Sequence, residues 1–163
     1  MRKYDLLKNK LVSQDQLCAL VESWKLQHQK VVFTNGCFDL LHLGHIDYLA
    51  KAADFGNKLI IGVNSDQSTK ALKGPGRPIT DEQSRASILA ALFFVDAVVL
   101  FDESTPLKLI ERIRPDVLIK GADYTLEQIV GAPEVISYGG EVRTLDYLPG
   151  YSTTGIEKKI KNS

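Results

Sequence analysis

The sequence predicts an α/β fold, a doubly wound parallel sheet with helices on both faces. Runs of β-branched and aromatic residues, apolar on both sides, recur along the chain: Val31-Val32-Phe33-Thr34, Leu59 to Asn64, Ala97 to Phe101 and Asp116 to Lys120. Segments with apolar residues at helical spacing stand between them. Strands buried on both faces that alternate with helices build parallel sheets covered on each side. At 163 residues the chain is long enough for one domain with a real core.

Each element has its own signal. Residues 1–12 read as a polar lead-in. Ser13 is placed to cap a helix whose Leu17, Leu20, Val21 and Trp24 share one face, with Cys18 packed among them. This tail and helix, residues 1–28, precede a single domain over 29–163. Val31–Thr34 is the first strand, Asn35-Gly36 a turn, and His45–Phe55 the helix that follows. Leu59–Asn64 is the second strand, and a Gly-, Pro- and Lys-rich loop runs from Ser65 to Ile79. Thr80 and Gln83 have the spacing of a capping box, starting a helix that runs to about Phe94. Ala97–Phe101 is a central strand, and Pro106 opens a helix to Ile113 from the favoured first position. Strand Asp116–Lys120, a short helix at Leu126–Val130, strand Glu141–Leu145 and a helix from Ser152 complete the chain.

Composition narrows the function. Hydrophobic content is 44% and charged content 25%, ordinary for a soluble globular protein. Twenty basic residues balance twenty acidic ones, so the basic excess of a nucleic-acid footprint is missing. No apolar run approaches the roughly 20 residues that span a bilayer, and the start lacks the apolar core of a signal peptide. Cys18 and Cys37 do not make a disulfide framework. These features point to a cytoplasmic protein that binds neither nucleic acid nor membrane.

Ligands of such sheets bind at the carboxyl ends of the strands, near the topological switch point. Strand one ends in Thr34-Asn35-Gly36, and two of the three histidines, His42 and His45, follow closely. The third, His28, sits in a polar turn and is expected to be solvated. A strand that turns into a helix offers free backbone N–H groups and the positive end of the helix dipole, an anion site. Positions three apart on a first helical turn lie side by side, so His42 and His45 can reach one ligand. Gly44 would let a phosphate approach the backbone. A buried structural pair of histidines is one alternative. A zinc site of Asp39, His42 and His45 is another, short of a fourth ligand. Cys37 reads as a small residue contributing its backbone N–H, and Asp39 as a group that ties down the loop or orients a histidine.

Three further segments carry chemistry. Ser68 to Arg77 holds Lys70, Lys73 and Arg77 among glycines and a proline, the composition of a mobile arm over a polyphosphate or of a solvated loop. Arg85 could reach the same phosphates bidentately, or pair with Asp81 or Glu82. Lys120-Gly121-Ala122-Asp123-Tyr124 ends a strand; Lys120 could hold an anionic substrate and Tyr124 flank a base or sugar. Ser152, Thr153 and Thr154 place three hydroxyls at a helix N-terminus, another anion pocket.

The stretch Thr34 to His45, with its His-x-Gly-His, resembles the signature of the nucleotidyltransferase superfamily that includes cytidylyltransferases and class I aminoacyl-tRNA synthetases. The resemblance implies a Rossmann-like fold and attack on the α-phosphorus of a nucleoside triphosphate. Phe33–His45, Gly62–Asp66, Leu72–Gly74 with Gly76–Ile79, Lys120–Tyr124 and Tyr151–Thr154 together resemble one branch, spanning about residues 30–160. Its members join AMP from ATP to D-glycero-β-D-manno-heptose 1-phosphate, making a heptose precursor of lipopolysaccharide. The chain departs from that branch at Ala122, where a second glycine is usual.

Carried over, the resemblance makes His42, His45, Lys73 and Arg85 catalytic. It places the nucleotide over Thr34, Asn35, Gly36, Cys37, Phe38, Gly44, Asn64, Ser152, Thr153 and Thr154. It gives the sugar phosphate to Asp39, Lys120, Gly121, Asp123 and Tyr124. ATP is then a substrate, and Mg²⁺ bridges its phosphates rather than sitting in a protein cage. The acceptor oxygen is already an anion, so catalysis rests on positioning and charge stabilisation. Many relatives carry a fused sugar kinase, whereas this chain resembles the stand-alone adenylyltransferase. A cytidylyltransferase for glycerol 3-phosphate or another phosphorylated alcohol, and a non-catalytic nucleotide-binding regulatory module, are the alternatives. A homodimer is expected, with the Trp24 helix as a contact.

Overall fold

Five strands lie parallel in one sheet in the computed structural model, which describes residues 2–163: β1 (Val31–Gly36), β2 (Lys58–Asn64), β3 (Ala97–Phe101), β4 (Val117–Gly121) and β5 (Glu141–Leu145). Their order is β3-β2-β1-β4-β5, so the chain reverses direction across the sheet between β1 and β4. This is the Rossmann-like arrangement expected, with its switch point at the end of β1.

The period-2 alternation of strands builds two cores. Phe33, Ile60, Val99 and Leu118 point to one face, where they meet Leu17 and Val21 of α2 (Gln14–Leu26), Ile110 of α6 (Leu107–Ile113) and Val135 of α7 (Ala132–Ser137). Val32, Ile61, Val98 and Ile119 point to the other, against Leu49 of α3 (Leu43–Ala53) and Leu89 of α5 (Glu82–Ala90). Each such side chain contributes about 1.5–3 kcal/mol on burial. The remaining helices are α1 (Lys3–Lys8), α4 (Asp66–Lys73) and α8 (Thr153–Lys161), with a 3-10 turn at Leu126–Gln128.

Several boundaries differ from expectation. The lead-in contains α1, and Leu11 bridges Val98, with Val12 N–H donating to the Val98 carbonyl at 3.1 Å. This contact covers the otherwise open edge of β3. Strand β1 continues through Asn35 and Gly36, and the chain turns only after them. The supposed loop after β2 begins as α4, whose inward side buries the hydroxyl residues Ser68 and Thr69, a burial that apolar periodicity cannot register. Asp81, not Thr80, caps α5, accepting from Ser84 N–H at 2.9 Å. That helix ends at Ala90 rather than Phe94. Pro106 is the N-cap of α6, and α7 carried no clear periodic signal. Trp24 is partly buried against the core with the Lys58 ammonium 5.5 Å from its ring, so it packs within the chain.

Candidate active site

A cleft of about 810 Å³ opens at the carboxyl ends of β1, β2 and β4. Its floor is the end of β1 and the turn that follows, where Asn35, Gly36, Cys37 and Phe38 all line the space. Phe38 adopts a left-handed φ of 49°, uncommon for a side chain of this size and found where surrounding contacts over-determine the backbone. Its ring meets the His45 imidazole edge-on, centroids 5.4 Å apart.

The two histidines have separate positions. His42 is the N-cap of α3, and its backbone N–H donates to His45 Nδ1 over a long 3.4 Å. The rings stack with centroids 3.9 Å apart. His45 lines the cleft, while His42 stacks against it with a buried Nδ1 that has no partner among the described residues. Burial, reinforced by His42 and the Lys73 charge, holds His45 down to about 4, and burial also lowers His42. At neutral pH His45 is an uncharged imidazole. Its Nδ1 accepts, which assigns the proton to Nε2.

Gly44 serves a different purpose from the one expected. A Cβ there would lie 3.0 Å from the His42 ring and 3.1 Å from Tyr151 Cβ, so protein atoms rather than a phosphate occupy the space a side chain would take. Thr34 is also corrected: it is fully buried, its hydroxyl 2.9 Å from that of Tyr48, and it does not line the cleft.

Two charged residues assigned to ligands are engaged with the scaffold, Asp39 at the cleft and Arg85 buried beneath it. Arg85 is 1% exposed. It donates to the carbonyls of Cys37 at 2.5 Å, Asn64 at 2.8 Å and Thr80 at 3.0 Å, and to Asp66 Oδ1 at 2.8 Å. Its ion-pair partner is therefore neither Asp81 nor Glu82. Asp39 accepts from the backbone N–H groups of Ile79 at 2.8 Å and Thr80 at 2.9 Å, and from Arg77 Nη1 at 2.9 Å. Burial alone would raise the Asp39 carboxyl, but these hydrogen bonds outweigh it and hold it below its ordinary value. With Asp39 so engaged, the zinc reading loses a ligand. Among the described residues no group of three His, Cys, Asp or Glu is placed to hold a metal ion.

The cations beyond β2 are not on a free arm. Lys73 is the last residue of α4 and lines the cleft. Arg77 pairs with both Asp39 and Glu157 of α8. Asn64 is 4% exposed and lines the cleft, its amide donating to Ser68 Oγ at 2.9 Å. On the far wall Lys120 donates to Asn35 Oδ1 at 2.6 Å, 5.7 Å from the centroid of the Tyr124 ring. Burial pushes its amine down to about 8 against the opposing charge of Asp123. Gly121, Asp123 and Tyr124 line the same wall. Of the three hydroxyls at α8, Thr153 and Thr154 line the cleft, while Ser152 is the N-cap and accepts from Gly155 N–H at 3.0 Å.

Sequence reasoning missed Tyr147, which lines the cleft over Gly121 and stacks on Tyr48 with centroids 5.7 Å apart. It also missed Ser104, Thr105 and Gln128. One signal could have found Ser104, Thr105 and Tyr147: in a parallel sheet the residues after every strand lie on one rim. A second hollow of about 790 Å³ lies at the opposite, amino end of the sheet. Its polar groups are engaged with the protein: Lys30 pairs with Glu141 at 3.0 Å, Asp116 accepts from Val31 N–H at 2.7 Å, Lys25 donates to the Arg114 carbonyl at 2.6 Å and the Arg114 guanidinium lies 4.6 Å from the Tyr138 ring centroid. Among the described residues no helix is long and apolar enough to cross a membrane.

Residues 33–159 match a protein family described as cytidylyltransferase-like. The chain is 54% identical over 152 residues to the bifunctional protein HldE of Methylobacillus flagellatus, covering 93% of this chain and 31% of that protein. It is 52% identical over 150 residues to the bifunctional protein HldE of Koribacter versatilis, covering 92% and 31%. The chain thus spans about a third of the length of the curated relatives it matches. Among solved structures it resembles the lipopolysaccharide core biosynthesis protein from Thermoplasma volcanium, with TM-score 0.59 and 29% identity over 74% of this chain and 97% of that one. The pantoate-beta-alanine ligase from Francisella tularensis, at 16% identity and TM-score 0.62 over 93% of this chain and 76% of that one, shares the fold.

Proposed function

The chain belongs to the cytidylyltransferase-like family, and from that membership we propose that it transfers AMP from ATP to D-glycero-β-D-manno-heptose 1-phosphate, releasing pyrophosphate and ADP-heptose. The observation that carries the chemistry is the uncharged His45 ring at the cleft, its Nδ1 occupied by the His42 N–H and its Nε2–H left to donate. The choice of sugar and nucleotide rests on the motif resemblance, on 52–54% identity to the HldE proteins, and on the similarity to a lipopolysaccharide core biosynthesis protein.

In this reading an oxygen of the acceptor phosphate attacks the α-phosphorus in line. A new P–O bond forms, the bond to the β-phosphate breaks, and pyrophosphate leaves with the electron pair. No proton has to move, because the attacking oxygen is already an anion. His45 Nε2–H donates to an α-phosphate oxygen where charge grows, a neutral donor needing no protonation at working pH. Lys73, Thr153 and Thr154 receive the triphosphate beyond it. Lys120 binds an anionic group on the opposite wall, and Asp123 and Tyr124 flank it. Arg85 and Asp39 act through the backbone they hold. A Mg²⁺ carried in on ATP would supply neutralisation of the charge that grows on the leaving pyrophosphate.

The proposal extends to a homodimer. Phe93, 92% exposed and edge-on to Phe94, replaces Trp24 as its contact. Sedimentation giving a single-chain mass at working concentration would remove this part.

The deciding experiment measures pyrophosphate release with ATP or CTP, each against heptose 1-phosphate and glycerol 3-phosphate. Turnover is expected with ATP and the heptose. Faster turnover with CTP and glycerol 3-phosphate would replace the reading with the cytidylyl one. ATP binding with no turnover on any acceptor would make the chain a regulatory module.

A further inference from the structure

Helix α8 is attached to the rest of the chain in an unusual way. It contributes Thr153 and Thr154 to the cleft, yet none of its residues is buried. Ordinary helices are held by an apolar face packed on the core. Here Gly155, Ile156 and Glu157 are partly buried, and among the described residues one side-chain hydrogen bond joins α8 to another segment: Arg77 Nη2 donates to Glu157 Oε2, one helical turn beyond the two threonines. The same guanidinium donates through Nη1 to Asp39 Oδ2 at 2.9 Å. Asp39 in turn is fixed in the turn after β1 by two backbone N–H groups.

Arg77 thus spans two carboxylates on separate elements with two different nitrogens of one planar group. The Arg77 and Asp39 side chains are 17% and 4% exposed, and that of Glu157 is 28% exposed, so the bridge is shielded more than a surface ion pair. The turn that leads from Lys73 to Arg77 is closed by one backbone hydrogen bond, Arg77 N–H donating to the Gly74 carbonyl at 3.1 Å, and its glycines face open space. A Cβ added at Gly74 or Gly76 would meet no atom within 4 Å. Lys73 is held by α4, whereas the polar anchor of Thr153 and Thr154 is the Arg77 bridge.

We propose that Arg77 is a positioning residue that, through Glu157, sets the distance of α8 from the turn after β1 and thereby the affinity of the cleft for the triphosphate of ATP. This rests on the reading of Lys73, Thr153 and Thr154 as triphosphate ligands. A lysine cannot replace it, because an ammonium lacks the rigid fork that reaches both carboxylates at once. Loss of the bridge loosens α8 in the free protein, and ATP must then order the helix as it binds. The penalty falls on binding, not on the chemical step.

The test uses Glu157→Gln in the full chain, with hydrogen exchange and steady-state kinetics as readouts. Amide exchange across residues 156–161 is expected to quicken about tenfold without nucleotide, while β1 amides keep their protection. KM for ATP is expected to rise about tenfold with kcat within about twofold of the parent. Arg77→Lys should reproduce both changes, and Glu157→Asp, which keeps the charge, should restore both. The double variant Arg77→Lys with Glu157→Gln should be no worse than either alone. Unchanged exchange in α8 would overturn the proposal, as would a fall in kcat with KM unmoved. The exchange measurement needs no substrate, so failure of the tether and failure of the transferase reading are told apart.

Discussion

Arg85 Nη1 donates to the Cys37 carbonyl at 2.5 Å across 48 residues of sequence, so the turn that floors the cleft is held from below by a buried cation. The same side chain reaches Asn64, Asp66 and Thr80, binding together the ends of β1 and β2 and the entry to α5. It is among the largest fully buried side chains of the molecule. A charge that deep persists only because each of its three nitrogens finds an acceptor.

Arg85→Ala is expected to destabilise the fold by about 3–5 kcal/mol, because it leaves carbonyls unpaired and a void where the guanidinium sat. Arg85→Lys should recover less than half of that loss, since one ammonium cannot reach all four acceptors. Urea denaturation measures both. A loss under about 1 kcal/mol for the alanine variant would show that the clamp is dispensable.

His45→Ala is expected to lower kcat by about 10²–10³ while changing the ATP dissociation constant less than about threefold. In the proposed reaction the donor it removes meets charge that grows only in the transition state. Equilibrium binding of a non-hydrolysable ATP analogue, set beside initial rates, separates the two. A large loss of binding with kcat intact would reassign His45 to ground-state recognition.

Lys120 gives the pH dependence. Burial holds its amine down to about 8, so the ammonium is present at pH 7 and largely lost by pH 9. Binding of an anionic substrate therefore weakens as pH rises through this range, and kcat/KM should fall with an apparent pKa near 8. Lys120→Ala should lower the plateau and abolish that alkaline limb. An alkaline limb that survives in this variant would assign the titration to another group.

Gly121→Ala tests the aromatic wall. The added Cβ would fall 2.0 Å from the Tyr147 hydroxyl oxygen, so the ring has to leave its place over the strand. A loss of about 1–3 kcal/mol is expected from the overpacking. Adding Tyr147→Ala to Gly121→Ala should then raise stability rather than lower it further, a coupling that thermal melts of the four proteins would read. Simple additivity would mean that the two positions do not meet in solution.

The strands were legible because their signal is local. A parallel strand buried on both faces must be apolar at nearly every position, and β2, β3 and β4 are. The turn that floors the cleft was legible too, from a strand that runs into a glycine and a helix with two histidines. Helix α4 was not, since it buries serine and threonine hydroxyls where a pattern search looks for leucine. The pairing of Leu11 with Val98 was hidden because a lone bridge to a distant strand has no periodicity.

By itself the sequence determined the alternation of strand and helix, the edge of the sheet on which the cleft opens, and several residues that line it: His45, Lys73, Lys120 and the α8 threonines. Tertiary structure alone decided which charges remain free for a ligand. Asp39, Arg77 and Arg85 carry formal charges that read as ligand contacts, but the fold brings each within hydrogen-bond reach of protein partners far away in the chain. The reason is energetic. A charge withdrawn from water must be compensated where it lies, and which groups lie there is set by chain crossings that no local pattern records.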